Sequence, residues 1–158
     1  MVDDELRRLR PRAIDWTAPW FDAVAVHGEE ASRAPDARAA LAAMAARLSI
    51  RSSAGRPIRF APAGAAGDAA YEAHIARTGE VPTRDNLHDF FNALVWLAFP
   101  RTKARLNALQ AQAIAAAGIG ARRGPLRDAA TLIDENAVLL VTQRAGIVDA
   151  LERHDWHG

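Results

Sequence analysis

"VPTRDNLHDFFNALVWLAFPRTKARLNALQ", residues 81–110, is the stretch on which the reading of this chain turns. Pro82 disfavours helix at Val81, and either Thr83 or Asp85 can cap the free N–H groups of a helix that then runs to about Phe99. Pro100 has no N–H to give and clashes with the turn before it, so this helix ends or kinks there. A second helix follows, roughly from Arg101 to Ala117. At about 100° per residue, Leu87, Phe90, Phe91, Leu94, Leu97 and Ala98 cover a broad apolar arc, wide enough for a central, heavily buried helix. Asp85, His88, Asn92, Trp96 and Phe99 fall in a narrow stripe on the other side, with Asp89 at its edge. On the next helix Lys103, Asn107 and Gln110 stand at i, i+4 and i+7, a second polar stripe.

The flanking segments read as further helices. "PDARAALAAMAARLSI" has Asp36 placed to cap and Leu41, Met44 and Leu48 recurring at i, i+3 and i+7. "DAAYEAHIARTG" starts at Asp68 and stops at Gly79, which can adopt the left-handed conformation after a last turn. "SSAG" breaks the chain between them, and a short extended piece is expected around Ile58 and Phe60. Nearer the N-terminus, Trp16, Trp20 and Phe21 sit between prolines, in a loop or short helix expected to plug a core edge. "ATLIDENAVLLVT" shows two apolar runs about a polar tip, the pattern of a hairpin over residues 130–142. The last segment looks helical. The expectation is one mainly α domain (α+β) over residues 1–158, a compact helical body with a small β-hairpin.

Composition narrows the classes. Half the residues are hydrophobic and a quarter are charged, as in a globular protein. No apolar run approaches the roughly 20 residues of a membrane span, and "MVDDELRRLRPR" lacks the apolar region of a secretory signal. The sequence has no cysteine, which excludes disulfides, thiolate ligands and a cysteine nucleophile, and is compatible with a cytoplasmic location. The net charge of +1 is unevenly spread. Residues 101–127 hold six bases (Arg101, Lys103, Arg105, Arg122, Arg123, Arg127) and no acid, whereas residues 1–30 hold seven acids and four bases. Such a stretch either pairs with acidic parts of the fold or faces an anion, a phosphate or a nucleic acid.

The polar stripe is where a site would lie. A buried His, Asp or Asn left unpaired costs roughly 1–3 kcal/mol, so these groups must find partners. As an active site, the stripe would use His88 for proton transfer, Asp89 or Asp128 to orient it, and Asn92 as a positioning amide. Arg101, Lys103 and Arg127 would clamp an anionic small molecule, and the chemistry would be acid/base or phosphate-ester. The tip acids Asp134 and Glu135 are further distant partners. Two other readings compete. In one, His88, Asp89, Asn92, Asn107, Arg127 and Asp128 form a purely structural network that locks helices together. In the other, the basic 101–127 stretch serves a non-catalytic interaction or nucleic-acid-binding module.

Several signatures are missing. "HDFFN" has His and Asn at i, i+4 rather than two His, and a harder-cation site from His88, Asp89, Asp128 and Asp134 has no supporting spacing, so no metal is expected. No cofactor motif appears either: "GIGARRG" is not a dinucleotide fingerprint, and no serine sits in a nucleophile elbow. The basic stretch has no interleaved aromatics, which weakens single-strand stacking.

The blocks "PTRDN", "HDFFNALVW", "FPRTKA" and "RDAATLIDE" together make the chain resemble a bacterial family of unknown function, number 3025. The resemblance is densest over residues 71–141 and extends from Trp20 to the end. It implies no activity for any residue. It does imply that relatives continue past the equivalent of "HDWHG", so that this chain is C-terminally shortened by comparison.

Overall fold

The computed structural model describes residues 14–67, 69–117, 124–138 and 140–155. Among them are seven α-helices and two short strands: α1 (Ala25–Arg33), α2 (Ala37–Arg47), β1 (Arg59–Pro62), α3 (Tyr71–Thr78), β2 (Glu80–Thr83), α4 (Leu87–Ala98), α5 (Pro100–Ala117), α6 (Pro125–Asn136) and α7 (Ala145–Glu152). The mainly α, α+β class read from the sequence is the class of the structure. None of the described helices is long and apolar enough to cross a membrane.

The α4 helix is the centre. Asn86, not Thr83 or Asp85, is its cap: the Asn86 side-chain oxygen accepts from the Asp89 N–H at 2.8 Å. Ala93 and Leu94 are fully buried and meet Leu41, Met44, Ile58, Ile75 and Val81 in one core. Phe90 and Leu97 of the expected arc are buried as well, while Leu87, Phe91 and Ala98 are half-buried. Phe99 alone separates α4 from α5, and Pro100 opens α5, where its missing N–H has no helical partner to lose.

The α2 helix is capped as expected, with Asp36 accepting from the Ala39 N–H at 3.0 Å. Leu41 and Met44 point into the core; Leu48 lies past the helix end and is exposed, and Ala45 takes the third buried place. Trp16 does plug a core edge, with its ring 5.4–6.3 Å from those of Phe21, Phe90 and Phe91. It lies on Gly28 of α1, where any Cβ would collide with the indole. Trp20 is solvent-exposed.

The sheet is parallel, pairing Arg59 with Glu80 through Pro62 with Thr83. Parallel strands need a crossover, and α3 supplies it. Gly79 turns the chain from α3 into β2 in one residue at φ +79°, a left-handed conformation with the Pro57 carbonyl packed where a Cβ would stand. The cap expected at Asp68 lies outside the described residues.

The hairpin over 130–142 is not formed. Residues up to Asn136 belong to α6, which starts at Gly124–Pro125 with proline in its first turn, and no described residue from 137 to 142 is in a strand. Helical spacing puts Ala130 and Asp134 one turn apart on a face that packs against α5. Leu132 and Ile133, from the first apolar run of the expected hairpin, are exposed on the other side. The α7 helix forms as expected but buries no residue.

Candidate functional site

A cleft of about 940 Å³ opens where α3, α4, α5 and α6 converge. The two polar stripes face each other across it. The α4 helix contributes His88, Asn92 and Trp96 at intervals of four, and α5 contributes Lys103, Asn107 and Gln110. Tyr71 and Glu72 enter from the first turn of α3, and Asp134 and Glu135 from the last turn of α6.

Lys103 is the hub. Its side chain is almost fully buried, and its ammonium donates to Asp134 Oδ1 at 2.6 Å and to Asn92 Oδ1 at 2.8 Å. The same nitrogen stands 5.8 Å from the centre of the Trp96 ring, which meets the charge with its π face. A lysine ammonium only donates, so this contact decides which way the Asn92 amide points. Its NH₂ is then turned to Tyr71, and donates to the phenol oxygen at 3.0 Å. With that oxygen accepting, the Tyr71 O–H proton is left to donate into the cleft. Tyr71 is 39 % exposed as a residue, yet the cleft walls around its phenol desolvate it and push that group up to about 12; the carboxylates of Asp89, Asp134 and Glu72 add to this, against the Asn92 bond. The phenol therefore stays neutral and proton-bearing at any physiological pH.

Asp89 has another employment. Arg84 holds its carboxylate through the backbone N–H at 2.7 Å, Nε at 3.0 Å and a terminal guanidinium nitrogen at 3.1 Å. Burial pushes this carboxyl up, but the Arg84 side-chain and backbone bonds and the Arg84 charge outweigh it, and the group lies below the ordinary carboxylate range. Asp89 thus closes the β2–α4 turn instead of orienting His88. His88 itself is exposed on the cleft wall, with no hydrogen bond among the described residues. Asn107 donates to the Glu72 carbonyl at 2.9 Å, joining α5 to α3.

The expected site residues divide cleanly. His88, Asp89, Asn92 and Lys103 line one cleft. Arg101, Arg127 and Asp128 do not line it: Arg101 and Asp128 are exposed and Arg127 is half-buried on α6. The three-cation clamp is therefore not assembled, and its one member present, Lys103, is already neutralised by Asp134. The structure adds Tyr71, Glu72 and Arg84. Tyr71 is the sole tyrosine of the chain, and its position next to Glu72 and one turn before His74 was the available hint. Arg84 pairs with Asp89 across a turn, at a separation that no helical or strand period singles out. No group of three metal-ligating side chains occurs among the described residues.

The fold and cleft define a small α+β domain, mostly helical, with a polar pocket walled by four helices. The sequence profile of the family described as protein of unknown function (DUF3025) matches residues 58–158, from β1 through the C-terminal helix, and the chain belongs to that family. The match includes every residue that lines the cleft. The N-terminal stretch from Trp20 onward, also expected to share the resemblance, precedes it. No curated protein and no solved structure matches the chain.

Proposed function

We propose that the cleft binds a small polar molecule and carries out acid/base chemistry on it. Tyr71 donates a hydrogen bond to a substrate oxygen on which negative charge develops, and His88 takes up or returns a proton. The observation that carries this reading is the relay Lys103–Asn92–Tyr71. It uses a buried charge and a fixed amide to aim one proton-bearing hydroxyl into an open cleft. A scaffold alone has no need of that direction, nor of an imidazole left uncovered beside it. Lys103, Asn92 and Asp134 are positioning residues in this scheme, while Tyr71 and His88 touch substrate.

The phosphate-ester version draws less support, because both cations that line the cleft, Arg84 and Lys103, are committed to carboxylates. Among the described residues of the 101–127 stretch, the interaction-module reading keeps Arg101 and Arg105 as exposed bases, since Lys103 faces inward.

The test is conversion of components of a mixed small-molecule extract, followed by mass spectrometry, for wild type, Tyr71→Phe and His88→Gln. Both substitutions keep size and leave the core untouched. A component consumed by wild type and consumed at least about a hundredfold more slowly by each variant, at unchanged melting temperature, is the expected result. No conversion by wild type, or equal conversion by all three proteins, refutes the proposal.

A further inference from the structure

The charge of the cleft is opposite to what the basic 101–127 stretch suggests. Four carboxylates line it (Glu72, Asp89, Asp134, Glu135) against two cations. Arg84 neutralises Asp89 and Lys103 neutralises Asp134, which leaves Glu72 and Glu135 without an ion-pair partner among the described residues. A second, independent feature points to a missing ligand. Gln110 is only 5 % exposed and lines the cleft, yet no hydrogen bond engages its amide among the described residues. The Gln110 amide atoms are not among the sealed, unpartnered polar atoms of the described residues, so they open onto the cleft, and their donor and acceptor face whatever enters it.

From this geometry we infer that the cleft takes a small molecule bearing a primary amine, bound as its ammonium between the Gln110 amide oxygen and the unpaired carboxylates. The inventory of free groups favours donors on the ligand. The Gln110 oxygen, the Asn107 side-chain oxygen, the second Asp134 oxygen and two whole carboxylates all accept, whereas the directed donors are the Tyr71 hydroxyl and the Gln110 NH₂. An ammonium brings three donors and the compensating charge. A phosphate or carboxylate would meet no free cation and two like charges. The inference rests on the cleft being the functional site and gives that site a substrate class.

Three probes with the same four-carbon chain separate the chemistries: 1,4-diaminobutane, 1,4-butanediol and succinate. Calorimetric titration of the full chain at low salt is expected to show binding of the diamine alone. That binding weakens at least about tenfold in Gln110→Leu, which removes the amide at similar volume, and severalfold in Glu72→Gln, which leaves the buried residues unaltered. Preferential binding of succinate overturns the amine class while leaving the cleft as a site. Diamine binding that neither variant weakens places the amine elsewhere and overturns the inference, as does no binding of the diamine. A protein lysine offers the same ammonium, so a blocked lysine, Nα-acetyl-lysine methylamide, is titrated in parallel. Tighter binding of it than of the diamine overturns the assignment to a small free molecule.

Discussion

The buried pair of Lys103 and Asp134 makes an asymmetric prediction. The Lys103 side chain is 7 % exposed and that of Asp134 24 % exposed, so each single deletion strands a charge in a different environment. Asp134→Ala leaves an ammonium in the interior; breaking a buried pair in this way costs about 3–5 kcal/mol. Asn92 and the Trp96 ring remain beside it, which places the expectation at the lower end, about 3 kcal/mol. Lys103→Met leaves the better-hydrated carboxylate and fills the space with an apolar chain, at about 2 kcal/mol. The double variant strands neither charge, so it is less destabilised than the sum of the two, with a coupling of about 2 kcal/mol. Urea unfolding followed by tryptophan fluorescence reads this directly, since Trp96 is 1 % exposed and its ring centre lies 5.8 Å from the Lys103 ammonium. With a slope of about 2 kcal/mol/M, Asp134→Ala lowers the midpoint by about 1.5 M. A shift below about 0.5 M, or strict additivity of the two substitutions, refutes the interlocked arrangement and with it the fixed orientation of Asn92.

Two titrations test the neighbouring groups. The Asp89 carboxyl has a lower pKa folded than unfolded, so its stabilisation is complete above the unfolded value near about 4 and is lost as pH falls through the folded value. Asp89→Asn should cost about 1 kcal/mol at neutral pH, discounted because Arg84 is largely exposed, and urea midpoints of the two proteins should converge below about pH 3. A gap that does not change with pH contradicts the Arg84–Asp89 account. Tyr71, as the only tyrosine, can be followed by phenolate absorbance without interference from another phenol. The signal should stay flat through the ordinary range near about 10 and rise only toward about 12. The raised pKa also means that this group's stabilisation, complete below about pH 10, is lost as pH climbs toward the folded value. Titration of the folded protein near 10 would place the hydroxyl in open water and remove the relay's end point.

The helices around the cleft were legible because they rest on local rules. Hydrophobic period marked α4, proline marked its junction with α5, and Asp36 marked the start of α2. The polar stripes were legible for the same reason, since helical spacing alone aligns His88 with Asn92 and Lys103 with Asn107. What the period could not supply was the partner across the gap. Tyr71 lies 21 residues from Asn92, and Asp134 lies 31 from Lys103. Only packing of whole helices joins them. The strand pairing is another such case. Phe60 meets Val81 through a parallel crossover, and no turn signal announces a parallel pair as a hairpin turn announces an antiparallel one.

The error over residues 130–142 shows what a misassigned element costs a site. A hairpin would place Asp134 and Glu135 at a solvated tip, where they are ordinary surface acids. On α6 the same residues sit in the last turn of a helix packed on α5, and helical spacing from Ala130 carries Asp134 to Lys103. That contact reverses the meaning of the lysine. Unpaired, Lys103 would face the cleft as a free cation, a ligand for anions. Paired, it holds Asn92 and through it Tyr71, and what lines the cleft is a surplus of carboxylates. The substrate class inferred from a basic stretch of sequence is therefore governed by where one acid, some 30 residues away, is brought by the fold.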